Sequence, residues 1–86
     1  MTMEQSRETI REVVAAQGNL RTDIAHLGDD ADLFDAGMSS HASVSVMMGL
    51  EDAFDIEFPD EMLKRDVFKS VNAMADAITS LMATVP

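Results

Sequence analysis

Two adjacent hydroxyls, Ser39 and Ser40, stand at the head of an apolar-periodic stretch in the segment Asp35-Ala36-Gly37-Met38-Ser39-Ser40-His41. A helix beginning there would bring chemistry with it. The first backbone N–H groups of a helix have no partner within it, and the aligned peptide dipoles make that end favourable for negative charge. A phosphate esterified to Ser40 would therefore rest in a site already suited to anions. Gly37 permits a tight approach of the loop that leads in. Taken alone the motif is weak, because most Ser-Ser pairs before a helix are only caps.

Other chemistry is harder to build. His41 adjoins the Ser40 hydroxyl in sequence, but successive helical residues point about 100° apart, which suits no nucleophile–base hydrogen bond. His41 reads as a partner contact or a surface histidine, and His26, amid apolar loop residues, as packing. A calcium loop needs oxygen ligands at positions 1, 3 and 5, glycine at 6 and glutamate at 12. Starting at Asp32 puts Gly37 correctly but leaves Phe34 and Ala36 at ligand positions and Ser43 at the end. Starting at Asp30 fails at Phe34 and His41. No metal site is expected. The chain has no cysteine, hence no disulfide, thiolate zinc site or thiol nucleophile. With no catalytic group beside an evident base, metal or oxyanion donor, the chain does not read as an enzyme.

Three main helices must position Ser40. The first runs from about Met3 to Gln17, with Thr2 and Gln5 spaced as a capping box and Gly18 to end it. Its buried stripe is Met3, Ile10, Val13 and Val14. The second runs from Ser40 to Phe54, capped by Ser39. The third follows Ser70, with Val71, Met74, Ala75, Ile78 and Met82 at helical spacing. Pro59-Asp60 opens a short turn of helix through about Arg65. The link over residues 18–39 is long for a compact domain, and Leu20, Ile24, Leu27, Leu33 and Phe34 are its candidate anchors. The fold class is all-α, a small bundle of three main helices and one short one, with residues 1–86 forming a single domain.

Composition narrows the function. Hydrophobic residues make up 47% of the chain, which excludes a disordered acidic tail despite a net charge of −10. A chain this small buries only about 60% of its unfolded surface. The apolar run from Val46 to Leu50 is far too short to cross a bilayer, and the N-terminus lacks a signal-peptide pattern, so the expected location is cytoplasmic. Between Arg21 and Lys64 there are eleven acids and no Lys or Arg. Such a field repels nucleic acid and anionic membranes and speeds encounter with basic protein surfaces. The eight methionines serve packing first, since Met fills irregular gaps.

At 100° per residue, Ser43, Val46, Met47, Leu50 and Phe54 share the core-facing arc of the second helix. The opposite arc holds His41, Val44, Ser45, Met48, Glu51 and Asp52. Isolated exposed apolar residues are normal, yet Val44 and Met48, set among acids beside Ser40, read as anchors of a docking surface.

Over essentially its whole length the sequence resembles an acyl carrier protein, most densely in "DLFDAGMSSHASVSVMMGLEDAFDIEFPDEMLKRDVF". The family sets a glycine three residues before its modified serine, as Gly37 precedes Ser40. It then has an amphipathic helix ending in acids and Phe, here Glu51-Asp52-Ala53-Phe54. An acidic-apolar turn and Pro-Asp follow, here Asp55-Ile56-Glu57-Phe58-Pro59-Asp60. The family's usual Asp-Ser-Leu triplet reads Ser39-Ser40-His41, a variant most similar to the bacterial aminoacyl carrier proteins. The resemblance implies a monomeric carrier domain with 4′-phosphopantetheine attached to Ser40 by a phosphopantetheinyl transferase. It also implies loading by an amino acid:[carrier protein] ligase that resembles a class II aminoacyl-tRNA synthetase. Partner contacts are expected at Ser39, His41, Val44, Ser45, Met48, Glu51 and Asp52. Two alternatives stand beside this reading. One is a carrier of fatty or polyketide acyl groups, and the other a non-covalent adaptor in which Ser39 and Ser40 are caps alone.

Overall fold

The computed structural model describes residues 3–83 and, for Met3, the backbone alone. It is all-α. Helix α1 spans Met3–Gln17, α2 Ser40–Phe54, α3 Arg65–Phe68 and α4 Val71–Ala83, with 3₁₀ turns at Ile24–His26 and Asp60–Met62. Among the described residues there is no strand, and no helix is long and apolar enough to cross a membrane.

The three long helices form where apolar residues recur every three or four positions, and each buries that stripe in one shared core, with α1 packed against both α2 and α4. Ile10 and Val14 of α1 are fully buried and Val13 packs beside them. The expected capping box at Thr2 lies outside the described residues, as does the Met3 side chain. The α2 stripe is Ala42, Val46, Leu50 and Phe54, all buried, with Met47 packed against the core. Ser43, at the edge of that arc, is half-buried. In α4, Val71, Met74, Ala75 and Ile78 are buried. Met82, which helical spacing added to this stripe, is instead 44% exposed. In the turn beyond Ile78 it is Leu81, half-buried, that packs against the core, and its neighbour Met82 falls on the outer side.

Glycine and left-handed residues punctuate the bundle. The α1 helix is expected to stop at Gly18, whose N–H still donates to Val14 O at 2.7 Å. The left-handed residue is the next one, Asn19, at φ 52°. Asp55 ends α2 in the same conformation, φ 53°. Gly49 lets α1 approach α2 closely, since a Cβ there would sit 2.7 Å from Val13 Cγ1.

The long connection over residues 18–39 is folded down rather than loose. Leu33 is fully buried, and Leu20, Ile24, Leu27 and Phe34 pack on the core. Arg11 adds polar ties from α1. Its Nη1 donates to Ile24 O at 2.9 Å, and its Nη2 donates to Leu27 O at 2.9 Å and Asp29 Oδ1 at 2.7 Å. Asn72 of α4 completes the clasp. Its Nδ2 donates to Asp30 Oδ1 at 2.7 Å, its N–H to Asp29 O at 2.9 Å, and its Oδ1 accepts from Arg7 Nε at 2.9 Å. His26, expected to pack among the apolar anchors, is exposed at the end of its 3₁₀ turn. Such a turn carries its side chains around the strand of chain, so Ile24 and Leu27 face inward and His26 does not.

The single short helix expected from Pro59-Asp60 through Arg65 is two pieces. Leu63 and Lys64 depart from helical backbone at ψ 66° and 158°, separating the turn at Asp60–Met62 from α3. Phe68 of α3 is buried, with its ring centroid 5.3 Å from that of Phe58. The residues at this break face Ser40.

Candidate functional site

The loop that delivers Ser40 is wound tightly on itself. The Asp32 carboxylate accepts from Phe34 N at 2.9 Å and Asp35 N at 3.3 Å, an Asx-type turn. Gly37 N donates to Phe34 O at 3.1 Å and Met38 N to Leu33 O at 3.0 Å. Leu33 N donates to Lys69 O at 2.7 Å, tying the loop to the segment that enters α4. Gly37 has φ +114°, and a Cβ there would meet the backbone N and side chain of Arg21 at 3.0 Å. Glycine is thus required twice over, by conformation and by space. Met38, 2% exposed, anchors the end of the loop in the core.

Ser39 then caps α2. Its backbone is extended, φ −81° and ψ 166°, and its Oγ accepts from Ala42 N at 3.0 Å. Ser40, the first residue of α2, is exposed. Its carbonyl accepts from Ser43 Oγ at 2.6 Å, but among the described residues its own hydroxyl has no hydrogen-bond partner. Of the two serines, one hydroxyl is committed to the backbone and the other stands free at a helix start.

The remaining sequence-derived site residues fall into different surroundings. Val44 and Met48 are 51% and 58% exposed, high for apolar side chains on a helix that buries its other face. His41 and Asp52 are also exposed, and Ser45 is half-buried. Ser45, Met48 and Asp52 edge a shallow depression of about 230 Å³, whose far side is Gln17 at the end of α1. Glu51 is turned inward. Its Oε2 accepts from Phe58 N at 2.9 Å and its carbonyl from Ile56 N at 3.2 Å, closing the turn after α2.

A half-open cleft of about 330 Å³ opens at Ser40 itself. Ser40, Ser43, Val44 and Met47 form its α2 wall, and Leu63, Lys64, Arg65 and Phe68 the facing wall, with Phe34 completing it. The Arg65 guanidinium stacks 4.1 Å from the Phe34 ring centroid. The sequence signal for these residues is faint: Lys64 and Arg65 are the first cations after the long acidic stretch. What makes them site residues is the break before α3, which no periodicity reveals. Among the described residues, no His, Asp or Glu side chains gather in a group of three that could hold a metal ion.

The chain matches the family model described as a phosphopantetheine attachment site over residues 8–78. It belongs to this family of phosphopantetheine carriers. An aminoacyl carrier protein of Agrobacterium fabrum is 49% identical over 74 residues, 86% of this chain and 89% of that protein. A D-alanyl carrier protein of Streptococcus sanguinis is 38% identical over 53 residues, 60% of this chain and 67% of that one. Among solved structures, one similar chain belongs to a crystal structure of an engineered Bradyrhizobium japonicum glycine:[carrier protein] ligase complexed with carrier protein from Agrobacterium tumefaciens and ATP. It superposes with a TM-score of 0.84 at 48% identity, covering 87% of this chain and 97% of that one. The carrier family's cofactor is 4′-phosphopantetheine, and a free hydroxyl at a helix start beside an open cleft fits that group.

Proposed function

We propose that the protein carries an aminoacyl group as a thioester on a 4′-phosphopantetheine arm joined to Ser40, and that an amino acid:[carrier protein] ligase loads it. In the modification step, the Ser40 hydroxyl attacks the coenzyme A phosphorus that bears the pantetheine. The new Oγ–P bond forms as the P–O bond to adenosine 3′,5′-bisphosphate breaks, and the hydroxyl proton passes to the transferase. The chain's own part is presentation: Ser40 Oγ is exposed and uncommitted, and the first α2 amides favour the phosphodiester that results. Because the chain has no cysteine, the arm supplies the molecule's sole thiol. The ligase activates an amino acid with ATP and transfers it to that thiol. The protein itself catalyses nothing.

The observation that carries this reading is the uncommitted Ser40 hydroxyl three residues after the left-handed Gly37. Similarity to a protein named aminoacyl carrier protein, and to a carrier crystallised with a glycine ligase, supports the choice of cargo. His41, Val44, Ser45, Met48 and Asp52 are assigned to partner contact. Ser39 and Glu51 hold the two ends of that helix in place, through Ala42 N and Phe58 N. The need for coenzyme A and ATP favours the cytoplasm, and in this reading residues 1–86 act as one carrier domain.

Intact mass after incubation with coenzyme A and a broad-specificity transferase tests the reading. Wild type should gain one phosphopantetheine and Ser40→Ala none, and the holo protein should then accept an amino acid from a glycine:[carrier protein] ligase with ATP. A wild type that never gains mass with several transferases would return the protein to the adaptor reading. The second reading, a carrier of neutral acyl groups, draws on the apolar cleft beside Ser40, and loading by an acyl ligase in place of an amino acid ligase would favour it.

A further inference from the structure

We propose that the cleft beside Ser40 is a charge filter: Lys64 and Arg65 let it receive the arm when the arm's end is neutral and turn away an aminoacyl end carrying its α-ammonium. This inference rests on the aminoacyl-carrier reading and deepens it. The cleft opens at the attachment residue itself, so an arm on Ser40 starts at its mouth. Val44, Met47, Leu63 and Phe68 give it apolar walls, suited to the pantetheine chain and to a thiol or an acyl group. Its charged lining is Lys64 and Arg65, and among the described residues no carboxylate lines it. The ion pairs among the described residues, Arg7–Asp29 and Arg11–Asp29, leave Lys64 and Arg65 outside them.

The charge balance decides the occupant. The arm's phosphodiester carries one negative charge and is attracted to the pair, drawing the arm towards the cleft. Two cations against one anion leave a positive remainder. An ammonium moving into that space would lose its water, find no acceptor carboxylate, and face a like charge, all of which oppose entry. A free thiol, a simple acyl group or an N-acylated amino acid meets none of these obstacles. In a chain of net charge −10, an acid at these two positions would have matched the rest of the surface, so the cations run against the general field. The consequence is an aminoacyl thioester held out in solvent, where an acceptor enzyme can reach it, and an unloaded arm that rests against the protein.

The test uses holo protein carrying a free thiol, glycyl, N-acetylglycyl or butyryl group, each installed from the corresponding coenzyme A derivative by the transferase. Amide and methyl NMR signals of Met47 and Leu63 report occupancy against the unmodified protein. The thiol, N-acetylglycyl and butyryl forms should shift these signals several-fold more than the glycyl form, which should stay close to the unmodified protein. Lys64→Glu with Arg65→Glu should bring the glycyl form into the cleft. Lys64→Glu alone, which leaves Arg65 on Phe34, should act in the same direction. Both residues are exposed, so the bundle should tolerate the changes, and unaltered Val46 and Ile78 signals would confirm it. Equal shifts for glycyl and N-acetylglycyl forms would overturn the filter, as would cargo-independent spectra or variants that leave the glycyl form outside. Mass gain at Ser40 is read separately, so such a failure would leave the carrier reading standing.

Discussion

At Gly37 a single backbone angle determines where a hydroxyl ends up. The residue combines φ +114° with a Cβ position 3.0 Å from Arg21 N, and Arg21 N itself donates to Ala36 O at 2.9 Å. Gly37→Ala should therefore cost about 1–3 kcal/mol, the usual range for a residue forced into such a conformation. A urea-unfolding midpoint unchanged from wild type would refute this. Slower modification by the transferase should accompany the loss, because the loop that aims Ser40 must shift to make room. The tight loop at Gly37 and the helix start at Ser40 were legible in sequence because a turn residue and a helix cap lie within four positions of each other. The role of Glu51 was not. Its position on α2 puts it among the exposed acids, yet it is half-buried and holds Phe58 N, because the chain doubles back after the left-handed Asp55. Helical phase gives the direction of a side chain, but says nothing of a neighbour that returns from beyond the helix end.

Among the elements, the connection between α1 and α2 depends most on a single side chain. Arg11 holds the carbonyls of Ile24 and Leu27 and the carboxylate of Asp29 at once, while Leu27 N donates back to Ile24 O at 3.0 Å. Arg11→Met keeps much of the apolar stem and removes those donors. The expected loss is about 1.5–3 kcal/mol, the range for hydrogen bonds to a charged group. Hydrogen exchange should show it locally, with the amides of His26 and Leu27 exchanging faster while Val46, inside α2, follows only the change in global stability. Equal acceleration at all three would mean that the clasp does not act on the loop in particular. The anchors Leu20, Ile24, Leu27, Leu33 and Phe34 could be read from their apolar character, and the three long helices from their periodicity. The Arg11 clasp could not, since an arginine on α1 gives no sign of a carbonyl partner 13 residues along the chain. The break at Leu63 and Lys64 was equally hidden, because both residues have ordinary helix propensity and leave the helix for tertiary reasons.

Across the whole molecule, charge is divided by sign as well as by sequence. Arg7 and Arg11 are spent on Asp29, and Lys64 and Arg65 line the cleft. The acids Asp52, Asp55, Glu57, Asp60 and Glu61 remain exposed around the far end of α2. That asymmetry was visible as an interval without cations, whereas the gathering of two cations at Ser40 needed the fold. A field of this kind acts over distance, so it should affect how quickly partners arrive more than what happens after docking. Screening length shrinks from about 30 Å at 0.01 M ionic strength to about 3 Å at 1 M. Over that range kcat/KM for ligase loading of the holo protein should fall by roughly tenfold or more, with kcat at saturating carrier nearly constant. Asp60→Asn with Glu61→Gln removes two exposed acids that lie outside α2. The double variant should show a shallower salt slope and the same kcat. A slope that is flat in wild type would remove the steering role of the acidic surface. A slope that the double variant leaves untouched would assign it to the acids that remain exposed, Asp52, Asp55 and Glu57 among them.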